Sequence, residues 1–369
     1  MKRGLRKLVW LFPLGILVWI VVANFPRTHR PTTDINARLI AETLNGPGPL
    51  PFKIGVVYSP SYLINIGGLE RMHPFDIHKY QKIHDALIAD SSMTAEDVRD
   101  PEPLAKNDLL LVHSEAYLTA LESRANVAKF LEAPVLQFAP VSLDTGVLKP
   151  FRHASGGTLL AARQALVSGI GINIGGGYHH AKPDKGEGFC LYADVPIAIR
   201  KLQKEGVIKR AVVIDVDVHQ GNGTIVCLAD DEEAFTFSMH QKEIYPIPKE
   251  KGDLDVELKP GLNDDQYLKI LADHLPKVLD SANADICFIV GGCDTLSGDP
   301  LASLEMTHEG IVKRDQAIVD ACVKRKLPVV LTLSGGYSKD AWKAQYLSCL
   351  LYTSPSPRDQ RGSRMPSSA

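Results

Sequence analysis

The chain has 369 residues, 45% hydrophobic and 23% charged, with a formal net charge of −2. This is globular composition, and the length suits one large α/β domain with extensions or two small domains. The near-neutral balance, with no Lys/Arg block in the globular region, argues against direct nucleic-acid binding.

The N-terminus opens on Lys2, Arg3, Arg6 and Lys7, followed by an almost unbroken apolar run from Leu8 to Phe25. That run is about the minimum for a bilayer span, with Trp10 and Trp19 available for interfaces. Val21-Val22-Ala23 also suits a signal peptidase, so residues 1–25 read as a membrane anchor or a signal peptide. A buried core helix is the alternative. The expected placement is membrane-anchored or exported, with the catalytic domain non-cytoplasmic, although Arg27, Arg30 and Arg38 oppose that topology. Residues 26–51, rich in Pro, Thr, Asn and Gly, read as a linker.

From residue 52 to residue 350, strand-like and helix-like stretches alternate. Lys53–Tyr58 is a first predicted strand. A helix over Ser155–Ser168 precedes a strand over Gly171–Ile174, and a helix over Val195–Glu205 precedes Arg210–Ile214. Glu233–Ser238 is a further strand. Helix Asp264–Asp280 leads to strand Asp285–Val290, and helix His308–Lys324 to strand Pro328–Leu333. Another helix begins at Ala341. This alternation predicts a single three-layer α/β/α domain around a mainly parallel sheet. Residues 351–369, with three prolines and no periodicity, read as a non-native tail or a natural disordered one.

The six cysteines form no CxxC pair, which gives no support to a zinc ribbon or a thioredoxin-like site. Cys227, Cys287 and Cys322 sit among apolar residues and read as buried small hydrophobes.

Polar, glycine-rich segments close five of the predicted strands. They are Gly175-Gly176-Gly177-Tyr178-His179-His180, Asp215-Val216-Asp217-Val218-His219, Ser238-Met239-His240, Gly291-Gly292-Cys293-Asp294 and Ser334-Gly335-Gly336-Tyr337. In open parallel sheets ligands bind outside the carboxyl ends of the strands, so these segments should converge. Asp217 and His219, two apart on an extended strand end, can grip one cation, and Asp294 supplies a third ligand. Two carboxylates and one imidazole describe an open catalytic site that suits Zn²⁺ and would accept Fe²⁺. Such a cation acidifies water and polarises a carbonyl. His179 and His180 offer one imidazole as base and another that stays protonated. Tyr337, after Gly335-Gly336, can donate to an oxyanion. A hydrogen-bonded structural pair and a packing tyrosine are the bland readings.

These residues resemble the histone deacetylase family, of the arginase/deacetylase fold, over roughly Phe52 to Leu350. The resemblance implies Asp217, His219 and Asp294 as metal ligands and His179, His180 and Tyr337 as catalytic residues. It places Gly188, Phe189 and Gly336 along an acyl-lysine tunnel. It also implies a structural potassium site at Asp215, Asp217, His219, Ser238 and Met239. His73-Pro74-Phe75-Asp76, Gln220-Gly221-Asn222-Gly223, Ile244-Tyr245-Pro246 and Gly310-Ile311-Val312-Lys313-Arg314-Asp315 look most like the class IV branch. Asn222 stands where other branches carry an Asp behind the second histidine, which suits a neutral base at His180. Asp215 should orient His179. The implied activity is zinc-dependent removal of acyl groups, acetyl or longer, from an acylated lysine or a small acylated amine. An acetylpolyamine-type amidohydrolase, a two-metal ureohydrolase and a membrane-tethered non-catalytic binding module remain as rivals. Thr295 and Asn222 argue against a second metal.

Overall fold

The computed structural model describes residues 53–90 and 92–353. In chain order its elements are β1 (Lys53–Val57), α1 (Lys79–Ala89), β2 (Val98–Arg99), α2 (Lys106–Leu109), α3 (Glu115–Ala120), α4 (Arg124–Phe130) and α5 (Lys149–Ser168). There follow β3 (Gly169–Asn173), α6 (Asp194–Lys204), β4 (Ala211–Asp215), α7 (Asn222–Leu228), β5 (Ala234–Gln241) and β6 (Leu254–Leu258). The last are α8 (Asp264–Ala282), β7 (Ile286–Val290), α9 (His308–Lys324), β8 (Val329–Thr332) and α10 (Ala341–Thr353). Short 3₁₀ turns and one π turn fill several connections.

The strands form one sheet in the order β2-β1-β3-β8-β7-β4-β5-β6, every neighbouring pair parallel. Its central strands are apolar at consecutive positions because both faces are covered. Val212 and Ile214 of β4, with Cys287 and Ile289 of β7, join one core with Leu87 of α1, Leu271 of α8, Ile318 of α9 and Leu347 of α10. Ala211, Val213, Ile286 and Phe288 point the other way, against Ala161 and Ala165 of α5 and Ile199 and Leu202 of α6. The three-layer α/β/α reading therefore holds. All six cysteines are free and buried in these layers.

The helix ends follow local chemistry. The Asn263 side chain accepts from the Gln266 amide to start α8, and Thr307 accepts from Gly310 to start α9. Asp264 ties the two starts by accepting from the Thr307 amide at 2.8 Å and its hydroxyl at 2.6 Å. Helix α5 begins at Lys149 rather than Ser155, since Pro150 is at home in a first helical turn. The short β2, the edge strand β6, and helices α2 to α4 and α7 went unread because they span only two to seven residues, too few for a period to show; α1, also unread, does carry a stripe at Tyr80, Ile83 and Leu87.

One expectation is corrected. Placement of the domain as membrane-anchored or exported rested on an apolar spanning helix, and among the described residues no helix is long and apolar enough to cross a membrane. The long helices α5 and α8, of 20 and 19 residues, carry charged side chains such as Arg163 and Lys269 because one face covers the sheet and the other meets water. The segments read as anchor or signal peptide and as linker lie outside the described residues, and so does the tail from residue 354 on; the first residues read as tail, 351–353, instead close helix α10, with Tyr352 buried.

Candidate active site

Strands β3, β8, β7 and β4 are consecutive in the sheet, so their carboxyl ends lie side by side. Beyond β4 come Asp217 and His219, and beyond β7 comes Asp294. His219 Nδ1 lies 3.2 Å from Asp217 Oδ1 and 3.1 Å from Asp294 Oδ2. One ligand atom from each residue falls within 4.8 Å of the others. All three are buried. The remaining carboxylate oxygens are held by the fold. Asp294 Oδ1 accepts from the Val218 amide at 2.9 Å, and Asp217 Oδ2 accepts from Ser334 Oγ and the Gly335 amide, each at 3.0 Å. Burial opposes charge on His219, but its hydrogen bonds with Asp217 and Asp294 outweigh this and lift its pKa to about 10. Two buried carboxylates facing one imidazole form a donor set that a divalent cation would neutralise, with positions left for substrate and water.

The tandem histidines follow β3 through Gly175-Gly176-Gly177. The Asp194 carboxylate pins that turn by accepting from the Gly177 amide at 2.8 Å and the Tyr178 amide at 2.7 Å. The two imidazole rings sit 4.0 Å apart, tilted by 45°. His179 Nδ1 meets Asp215 Oδ2 at 2.8 Å, and His180 Nδ1 meets Asn222 Oδ1 at 2.6 Å. Burial works against the His179 charge, yet Asp215 and Asp217 prevail and raise its pKa to about 9. His180 is held well below its ordinary value, by burial first and then by the neighbouring charges of His179 and His219. Adjacent imidazoles are thus driven to opposite protonation states, the arrangement an acid-base pair needs.

Aromatic rings surround this centre. Phe189 packs edge-on against His73 at 4.6 Å and lies 6.0 Å from Tyr337, whose ring is 6.2 Å from His219. Tyr245 stands edge-on to His180 at 4.9 Å. Gly188 has φ +54°, and a Cβ there would sit 2.4 Å from His180 Cδ2. Gly336 has φ +128°, and a Cβ would meet Cys293 Sγ at 2.3 Å. Only glycine lets both loops close on the centre. The Tyr337 hydroxyl is held protonated, its pKa pushed well up by burial and by Asp294, Asp217 and Asp299.

Among the remaining expected residues, Asp215 pairs with Ser238 across β4 and β5. Ser238 Oγ lies 2.9 Å from His240 Nδ1, and Met239 is buried beside it. Asn222 opens α7 and, besides His180, contacts Glu187.

Several contributors escaped sequence reasoning. The buried Lys79 ammonium donates to the carbonyls of Ser334 at 2.7 Å and Gly335 at 3.0 Å, holding the loop that carries Tyr337. The same loop is held by Asp299, which accepts from the Tyr337 amide at 2.8 Å. Burial, and then the Asp294 charge, push the Asp299 carboxyl up to about 7. Lys79 shares a helical stripe with Ile83 and Leu87, and that spacing was the available signal. Asp299, in Ser297-Gly298-Asp299-Pro300, reads as an ordinary turn residue and offered none.

The histone deacetylase domain model matches residues 73–352 of the chain. Histone deacetylase 2 of Arabidopsis thaliana is 36% identical over 324 residues, covering 87% of this chain and 84% of that protein. The acetoin utilization protein AcuC of Staphylococcus aureus is 27% identical over 305 residues, covering 75% of this chain and 77% of its own. The solved structure of an HDAC homologue from Aquifex aeolicus superposes with a TM-score of 0.64 at 22% identity, over 82% of this chain and 85% of that one. The fold, the match to the family and the clustered strand-end residues agree: the chain belongs to the histone deacetylase family and is a hydrolase of the deacetylase kind.

Proposed function

We propose that the chain is a zinc-dependent deacylase that cleaves the amide of an N-acyl-lysine, with residues 52–350 as its catalytic domain. The observation that carries this is the placement of two adjacent histidines, one backed by the Asp215 carboxylate and the other by the Asn222 amide, beside the Asp217, His219 and Asp294 cluster. These three would hold the ion, which supplies carbonyl polarisation and acidified water when bound. Zn²⁺ suits the mixed oxygen and nitrogen set, and Fe²⁺ fits the same donors.

His180 is the base in this reading. Its Nδ1 is engaged by Asn222, so Nε2 is the atom that takes a proton from the attacking water. His179, kept charged by Asp215, adds a positive neighbour for the oxyanion, and the Tyr337 hydroxyl donates to it. The proton on His180 then passes to the leaving nitrogen. The amide C–N bond breaks, giving a carboxylate and a free amine. Phe189, Gly188 and Gly336 line the approach of the acyl-lysine chain. Asp215 and Ser238, paired across β4 and β5, are where we place the structural potassium ion, together with Met239 and the backbone of Asp217 and His219.

The likeness of the Gln220–Gly223, Tyr245-Pro246 and Gly310–Asp315 segments to class IV supports acceptance of long acyl chains as well as acetyl. The test is hydrolysis of fluorogenic acyl-lysine peptides of graded chain length, with acetylated polyamines alongside, before and after chelation and zinc repletion. Chelator-sensitive cleavage of the peptides supports the proposal. Cleavage of acetylpolyamines alone would move the substrate class to small amines, and no cleavage of any amide would end the enzyme reading.

A further inference from the structure

The two histidines are supported differently. Asp215 is a carboxylate, and either of its oxygens can accept from His179. Asn222 is an amide with an acceptor at one end and donors at the other, in nearly the same shape. Left alone, it can face His180 either way. If the oxygen faces His180, Nδ1 must carry the proton and Nε2 is free to act as base. If the NH₂ faces His180, Nδ1 must accept, the proton moves to Nε2, and the base is blocked.

Asn222 Nδ2 donates to Glu187 Oε1 at 2.7 Å. Lys182 Nζ lies 3.3 Å from the same oxygen, and Lys185 pairs with Glu187 Oε2. Lys182 is itself anchored to Glu250 at 2.9 Å. Two ammonium groups therefore keep Glu187 ionised. Burial opposes its charge, but Lys185, Asn222 and Lys182 hold its pKa below the usual range. An ionised carboxylate has no proton to give, so the partner it accepts from must be the amide NH₂. The Asn222 oxygen is left pointing at His180.

We propose that Glu187 is a positioning residue for the deacylase reaction, acting through Asn222 to set the tautomer of His180. Asn222 and Glu187 together form a two-residue replacement for a single carboxylate behind the second histidine. Glu187 also directly precedes Gly188 and Phe189, so the device is built into the tunnel wall. The inference rests on the assignment of His180 as the proton acceptor.

The test combines ¹⁵N-histidine NMR with kinetics in a double-mutant cycle. In the parent protein His180 should show protonated Nδ1 and bare Nε2. Glu187→Ala should populate the Nε2-protonated form and lower kcat about tenfold, in the range for removing an outer partner of a catalytic group, with KM within about twofold. Asn222→Asp removes the amide, and with it the need for orientation. In that background the Glu187→Ala loss should shrink to under about threefold. Glu187→Met, of similar reach but without an acceptor, serves if the alanine variant is destabilised. An unchanged His180 tautomer in the Glu187 variants would overturn the proposal, as would an equal kcat loss in both backgrounds. If the parent protein lacks deacylase activity, the deacylase reading fails, and the tautomer spectra still decide the role of Glu187.

Discussion

The Lys79 ammonium lies 255 positions before Ser334 in the chain and donates to its carbonyl at 2.7 Å. It is buried, so burial lowers its pKa while Cys293 and the carboxylates Asp294, Asp217 and Asp299 support its charge. The contact fastens the turn that carries Tyr337 to the edge of the Asp217, His219 and Asp294 cluster. Lys79→Met keeps the apolar stem and removes the donor, leaving the Ser334 carbonyl unpaired, while the Gly335 carbonyl keeps the Cys293 amide and Gln345. We expect kcat to fall about tenfold, as for loss of an outer support, with a lowered Tm from the orphaned acceptor. Lys79→Arg should recover part of both. Wild-type kcat in Lys79→Met would show that Tyr337 is placed without it.

Metal dependence follows from the cluster. Asp217→Ala or Asp294→Ala should abolish binding of added Zn²⁺, measured by calorimetry on the metal-stripped protein, and reduce activity to background. The rival with two metals predicts two ions per chain in the parent, and the cluster formed here predicts one. Retention of parent-like zinc affinity in either variant would contradict the ligand assignment.

The histidines should separate by pH. His180 is neutral down to well below its ordinary value, so protonation of this base should not limit kcat across the neutral range. His179 has its pKa lifted to about 9, so its positive charge is present below that value and is lost as pH rises through it. The basic limb of the kcat profile should follow the loss of that charge, and Asp215→Asn should move that limb to lower pH. His180→Ala should cost about 10²–10⁴ in kcat, the usual worth of a positioned acid-base group. A small change in that variant would shift the base role to His179.

Much of the fold was legible because a parallel sheet writes itself as apolar runs. Helix α9 has the predicted bounds, and β4, β7 and β8 fall within a residue or so of theirs. That the Asp217, His219 and Asp294 segments and the tandem histidines would converge could be read because strand ends concentrate polar residues where apolar ones are the rule. His113, Glu187 and Asp299 were not legible as site residues, since each works by contacts to backbone or to a distant amide, and the one signal for Lys79 was its place on the buried stripe of α1. An aspartate in a turn has the same local pattern whether it faces water or a backbone amide across the domain.

Gly188 offers a direct test of how tightly the proposed tunnel wall is fitted. Its φ of +54° disfavours any side chain, and its missing Cβ faces the ring carbons of His180. Gly188→Ala should displace either the Phe189 loop or the imidazole. The strained backbone and the displaced ring should lower Tm, and kcat/KM should fall about 10- to 100-fold, as expected for a misplaced catalytic group. A variant with normal activity would mean the loop relaxes without touching His180.

Acid should loosen the segment that runs from Lys182 to Ala193. His113 bridges its two ends. The Nδ1 atom contacts the Lys182 carbonyl at 3.0 Å, and Nε2 accepts from the Ala193 amide at 3.0 Å. The ring is also flanked by Tyr117 and Tyr192. One nitrogen donates and the other accepts, so the folded protein needs the neutral ring. Burial accordingly lowers its pKa from 6.5 to about 4. The unfolded chain takes up a proton at about 6.5, where the folded one does not, so acid favours unfolding. Stability from this residue is complete above about pH 6.5 and is lost as pH falls towards 4. By linkage the full window is worth on the order of 3 kcal/mol. Tm of the parent should therefore drop steadily between pH 6.5 and 4. His113→Gln, which can still donate and accept but does not titrate, should be less stable at neutral pH and flatter across that range. An identical slope in parent and variant would place the acid sensitivity elsewhere in the domain.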